Sequence, residues 1–204
     1  MSATPTLQSG SVALRDAVLQ ADTGARFAAI GPEAIAGVAQ HLPLSADLLA
    51  WYATAAPLDV SLPFFPEGPI LYDPRELLAW QEGYRWRTGQ RETIADDWDA
   101  AWLVVGDYGS DPIIARTDLA GTPIAMAAHG RGHWAPFFVA PSLAAYLHAL
   151  AVWVGVRMRD FGDAIVGDDA LIRPDYLAAL DERLTPILAE EYRRHWLLLD
   201  AMAY

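Results

Sequence analysis

Residues 98–150 constrain the fold more than any other part of the chain. They read WDAAWLVVGDYGSDPIIARTDLAGTPIAMAAHGRGHWAPFFVAPSLAAYLHAL. Apolar segments at 101–106, 112–117, 122–129 and 133–140 are each bounded by Gly, Pro or Asp, the pattern of strands joined by tight turns. GDYGSD, DLAG and Gly130-Arg131-Gly132 fill the gaps, the last as a three-residue hairpin loop. Such gaps are too short for a parallel return, so the strands must form an antiparallel meander of about four. Pro141 then opens a helix in which Leu143, Leu147, Leu150, Val154 and Met158 recur every third or fourth residue, giving one buried face.

The flanks read as mostly helical. Residues 1–9 are polar and expected to fray, and from Ser11 to Gly24 Leu14, Ala17, Val18 and Ala21 keep helical spacing. Pro32 suits the first turn of a second helix, with Ile35, Val38 and Ala39 as its stripe and Leu42-Pro43 as its stop. Ser45 caps a third, which carries Leu48, Leu49, Trp51 and Tyr52 and ends by Pro57, with Leu44 placed to staple against Leu49. Prolines 63, 66 and 69 predict a loop or edge segment over 58–69, where Phe64 and Phe65 either tuck into the core or form a contact patch. A short strand at 70–72 precedes a helix started by Asp73 and Pro74, with Leu77, Leu78, Trp80 and Tyr84 as its apolar side before Gly89. A polar connection follows, in which Glu92, Asp96, Asp97 and Asp99 surround Trp98. Beyond an acidic loop after Asp160, helices are expected over 174–182 and 186–200, the second pairing Glu190 with Arg194 and placing His195 one turn from Glu191.

These elements predict an α+β fold, with a mainly antiparallel or mixed sheet of about four to six strands flanked by helices. The 204 residues suit a single globular unit, with at most an appendage. At 53% hydrophobic, with eight Trp and eight Tyr, the chain can repay the entropy of ordering. No apolar run approaches the roughly 20 residues a membrane helix needs, and the N-terminus lacks a basic and an apolar signal region. Without cysteine there is no disulfide, thiolate ligand or cysteine nucleophile, and a cytoplasmic protein is expected. The formal charge of −12 disfavours direct binding to nucleic acid or anionic membranes and suits a basic partner.

Catalytic signatures fail. The seven serines include none in a G-x-S-x-G elbow, no lysine exists to complete a phosphate-binding loop, and H-E-x-x-H is absent. The best metal candidates are His129 and His133, which would face each other across the Gly130-Arg131-Gly132 loop, with Asp107 or Asp111 as a third ligand. Two ligands do not make a site, and polar residues at a hairpin tip need no function. Adjacent carboxylates such as Asp96 and Asp97 or Asp168 and Asp169 point apart and suit a solvated face better than acid–base work. No cofactor is expected.

The order of motifs resembles the SUKH superfamily, which includes the Smi/Knr regulators and bacterial immunity proteins. The helix at 32–41 is followed by HLPLSADLLAWY and ILYDPRELL, then by Trp102-Leu103-Val104-Val105-Gly106-Asp107, Gly109-Ser110-Asp111 and the closing VAPSLAAYLHAL. The likeness spans about 28–153, with Trp102, Gly106, Asp107 and Asp111 as its signature, and so implies a central domain there, with a helical extension over 1–27 and a helical C-terminal extension over 154–204 packed on it. It departs at 57–69, where the family usually has a glycine-rich polar turn. The resemblance implies an α+β fold without catalytic residues and a protein partner, commonly a toxin that an immunity protein neutralises and that is often a nuclease. A regulatory or scaffold role of the Smi/Knr kind is the alternative, and a small-molecule or enzymatic pocket near His129 and His133 is a third. Glu92, Asp96, Asp97, Asp99, Asp107 and Asp111 are the expected contacts for a basic partner.

Overall fold

The computed structural model describes residues 5–21, 24–62, 68–87, 89–162, 164–169 and 171–201. Helix α1 (Leu7–Gln20) begins earlier than the apolar spacing predicts, because Thr6 and Ser9 close a reciprocal capping box. Ser9 N–H donates to Thr6 Oγ1 at 3.2 Å and Thr6 N–H donates to Ser9 Oγ at 3.1 Å, so polar residues expected to fray instead start the helix. Strand β1 (Arg26–Ala28) precedes α2 (Pro32–Ala39) and α3 (Ala46–Ala55), whose cap Ser45 accepts from Leu48 N–H. Helix α3 runs straight into β2 (Ala56–Ser61). Its residues 58–61 fall in the segment expected to be a loop or an edge segment and form a strand: Val60 and Leu62 are buried and Ser61 exposed, the alternation of a half-buried strand. Phe64 and Phe65 lie outside the described residues.

After β3 (Pro69–Leu71), Asp73 caps a 3₁₀ turn (Pro74–Glu76) that leads into the single-turn helix α4 (Leu77–Trp80). The longer helix expected toward Gly89 does not form. Gly83 takes φ +88°, and its N–H donates to Trp86 O at 2.8 Å, which turns the chain into a hairpin of β4 (Trp86–Arg87) and β5 (Gln90–Ile94). The meander follows as β6 (Trp102–Tyr108), β7 (Asp111–Arg116), β8 (Ile124–Met126) and β9 (Phe137–Ala140). Helix α5 (Leu143–Val154) continues as a π-helical turn (Gly155–Phe161), and α6 (Pro174–Leu184) and α7 (Glu190–Ala201) close the chain.

The main sheet has the order β1-β2-β3-β6-β7-β8-β9, every neighbour antiparallel, with the short β1 added on the outer edge of β2. With helices on it, this is the α+β class that the segment pattern predicts. Tyr108 pairs with Asp111 across Gly109 and Ser110, both with positive φ (57° and 72°), as a two-residue hairpin turn requires. A side chain on Gly106 would meet Ile70 O at 2.2 Å, so only glycine lets β3 and β6 close at the bulge there. By contrast, β8 and β9 part at Met126 and Phe137, and Gly130-Arg131-Gly132 sits inside a loop over 127–136 rather than at a tight hairpin.

The core lies on both faces of β6 and β7, where Leu103, Val104, Val105, Ile113, Ile114 and Ala115 are all buried. Trp153 and Leu150 from α5 and Trp196 from α7 gather over Tyr108, Ile113 and Val139. Trp196 Nε1 donates to Val139 O at 2.9 Å, which occupies a carbonyl of edge strand β9. Helix α1 lies against α5 so closely that a Cβ on Gly10 would stand 2.8 Å from Ala144 O, and His148 Nε2 lies 2.9 Å from Ser9 Oγ. His195 stacks on Phe137 with ring centroids 4.5 Å apart, while Glu190 and Arg194 form the expected ion pair.

Candidate functional site: an acidic, aromatic cleft

β3 ends at Leu71, and beyond it the Tyr72 backbone and the Gln81 side chain finish the pairing with β6. Tyr72 N–H donates to Val105 O at 3.0 Å. Gln81, fully buried, accepts from Val104 N–H at 3.0 Å and donates to Val104 O at 2.9 Å and Leu77 O at 3.1 Å. These bonds pin the turn after α4 to β6. They set Trp80, Glu82 and Tyr84 beside Asp107 and the β6–β7 turn. The loop over 127–136 forms the opposite wall, and the resulting cleft of about 530 Å³ is lined by Tyr72, Trp80, Glu82, Tyr84, Asp107, Ser110, His129 and Trp134.

The aromatic walls are well fixed. Trp80 stacks on Tyr72, with centroids 4.3 Å apart and planes 11° apart, yet remains 42% exposed. Tyr84 stands 5.6 Å from Trp134 and 6.2 Å from Trp98, and Trp98 meets Trp102 and Trp134 edge-on at 5.3 and 5.6 Å. Trp98 Nε1 donates to Trp102 O at 3.1 Å. The buried Arg85 guanidinium donates through Nη1 to Ala100 O at 2.8 Å and Trp102 O at 3.2 Å, which ties the acidic segment to the sheet.

The cleft is electrically negative. Tyr72 Oη donates to Asp107 Oδ2 at 2.6 Å, and Ser110 N–H donates to Asp107 Oδ1 at 3.3 Å. Burial, followed by that hydrogen bond and the Asp107 charge, pushes the Tyr72 phenol well up from its usual value. Burial also raises Tyr84, with the charges of Asp107 and Asp111 adding to the shift. Among the described residues, no arginine lines the cleft.

The structure brings only some of the expected site residues together. Asp107 and His129 line the cleft, and Asp111 holds His129: Oδ1 accepts from His129 N–H at 2.7 Å and lies 2.6 Å from Nδ1. His129 and His133 do not face each other across a tight hairpin, because the strands part at Met126 and Phe137; His133 lines a neighbouring depression with Asp97, Arg131 and Trp134. Among the described residues, no three His, Asp or Glu side chains gather as a metal site would need. Asp99 is occupied locally, accepting from Ala101 N–H at 2.8 Å. Asp96 is 95% exposed and stands 3.4 Å from Arg87, itself exposed, so that pair contributes little. Glu92 lies in β5, and its side chain is outside the described residues. The signature residues have structural roles as well. Gly106 admits β3, Asp107 and Asp111 fix the cleft, and Trp102 packs edge-on to Trp98 while its carbonyl receives Arg85 and Trp98.

Sequence reasoning missed the walls. Trp80 and Tyr84 lie four residues apart and read as one apolar helix face, but α4 ends at Trp80 and Gly83 swings Tyr84 across the cleft. Trp134 read as part of a strand and stands in the loop instead. The available signal was local: aromatic residues beside glycine, at Gly83-Tyr84 and near Gly130 and Gly132. Among the described residues, no helix is long and apolar enough to cross a membrane. Comparison with family models, with curated proteins and with solved structures yields no match for this chain.

Proposed function

We propose that this chain is a non-catalytic protein-binding domain, an immunity protein of the SUKH type that occludes a basic toxin. The observation that carries the reading is the cleft itself: Trp80, Tyr84 and Trp134 line it together with Asp107 and Glu82, and exposed Asp97 lines the depression beside it. Aromatic side chains that present large area at low entropic cost, ringed by charge of one sign, suit recognition of an oppositely charged protein. Asp107 accepts from Tyr72 and Ser110, so its bonds hold the walls in place. The motif order over 28–153 supports the same reading, and a regulatory scaffold would use the same surface on a different partner. The test is co-expression with each product of the neighbouring genes. A neighbour that arrests growth alone, and is silenced in a one-to-one complex with this chain, supports the reading; no such neighbour counts against it.

The His129–Asp111 pair favours a second reading, since a carboxylate orienting an imidazole at a cleft is how general bases are held. A small molecule bound in the cleft and lost in His129→Gln would support that reading.

A further inference from the structure

We propose that the cleft receives an arginine side chain of the partner, its guanidinium laid on the open face of Trp80 and turned toward the Asp107 carboxylate. This inference rests on the protein-binding reading and names the chemistry of the group recognised.

Four observations converge on it. Tyr72 covers one side of the Trp80 ring at 4.3 Å, yet Trp80 stays 42% exposed at the cleft wall, so the indole is rigidly backed and still available. Tyr84 and Trp134 supply aromatic surface in the same cleft. Each Asp107 oxygen accepts one hydrogen bond, from Tyr72 or from Ser110, and a carboxylate oxygen has lone pairs for a second donor. The negative field of Asp107 and Asp111 already acts on the Tyr84 hydroxyl.

Aromatic faces and carboxylates sharing one cleft are complementary to a cation. A planar guanidinium uses both features at once, stacking on an indole while its donors meet a carboxylate, whereas an ammonium is a compact, strongly hydrated point charge. A protein is favoured over a small cation because the chain as a whole carries −12, a field that draws in an extended basic surface. Arginine and tryptophan are also the residues that dominate binding energy at protein interfaces.

The test titrates the ¹⁵N-labelled full chain with N-acetyl-arginine methylamide, the lysine analogue and tetramethylammonium, following the Trp80 and Trp134 indole N–H signals. The expected result is a saturable shift at both, with the arginine analogue bound about fivefold more tightly than the lysine one. Asp107→Asn should weaken the arginine analogue by about fivefold or more. Trp80→Ala, at a half-exposed position, should stay folded and remove the response at Trp134. No saturable shift, equal response to lysine, tighter binding of tetramethylammonium, or an unchanged Asp107→Asn would overturn the inference. Partner binding is measured on the same proteins. If the partner binds Trp80→Ala as well as the unaltered chain, this inference falls and the protein-binding reading stands. If the arginine analogue binds but no neighbouring gene product does, the reading falls and takes the inference with it.

Discussion

Gln81 takes the place of a strand for Val104 on the side of β6 away from β7: its side-chain amide accepts from Val104 N–H at 3.0 Å and donates to Val104 O at 2.9 Å. One side chain thus continues the ladder past the end of β3 and carries the turn holding Trp80, Glu82 and Tyr84. Replacing it by leucine keeps the volume but strands both Val104 groups in the core. Gln81→Leu should destabilise the fold by roughly 2–6 kcal/mol, at about 1–3 kcal/mol for each of the two unpaired buried groups. Urea denaturation reads this directly, and an unchanged midpoint would show that Val104 finds other partners.

Gly106 is the second point on which the cleft depends. A Cβ there would lie 2.2 Å from Ile70 O, a backbone atom that cannot swing away. Gly106→Ala should cost about 1–3 kcal/mol and push β3 from β6. Because Tyr72 follows β3, its hydrogen bond to Asp107 should lengthen, which a shift in the Tyr72 ring resonances would report.

Ser110 holds φ +72° in the turn between β6 and β7. Glycine adopts that conformation without the strain a side chain incurs, which is of order 1 kcal/mol. Ser110→Gly should therefore raise the denaturation midpoint while leaving the Tyr84 Oη bond to the residue-110 carbonyl in place. A lowered midpoint would mean that the serine side chain contributes more than its backbone conformation costs.

Burial holds the His148 and His195 imidazoles below their ordinary value of 6.5. Between that value and the folded ones, the unfolded chain binds more protons than the folded chain. These histidines should leave stability unchanged above about pH 7 and lower it as pH falls through about 6.5 and below. The aspartates held low by arginine, Asp160 by Arg159 and Arg183 and Asp118 by Arg116, act only at more acidic pH, below their usual 3.8. Denaturation midpoints followed from about pH 7.5 to about pH 5 check the sign, and His148→Gln should flatten the slope.

The meander was legible because its signals are local: Gly109-Ser110 makes a two-residue turn, and Val104-Val105 and Ile113-Ile114 are short apolar runs between turn residues. Helix starts were legible for the same reason, in Ser45, Pro32 and Pro174. What sequence hid depends on partners distant along the chain. Gln81 looks like any polar helix residue until Val104 arrives beside it. His129 and His133 look like hairpin neighbours, but the ladder ends at Met126 and Asp111 holds the His129 backbone instead. Asp107 and Asp111 were identified from their place in a motif, yet the aromatic walls that make them part of a cleft come from Trp80, Tyr84 and Trp134, whose spacing reads as ordinary core.

The most direct measurement is size-exclusion chromatography, at low and at high salt, of this chain co-expressed with the products of its neighbouring genes. The expected result is a single basic protein co-eluting one-to-one at low salt, with the complex weakened by salt and by Trp80→Ala or Asp107→Asn. Elution of the chain without any such partner at either salt concentration would contradict a role in binding and neutralising a basic protein.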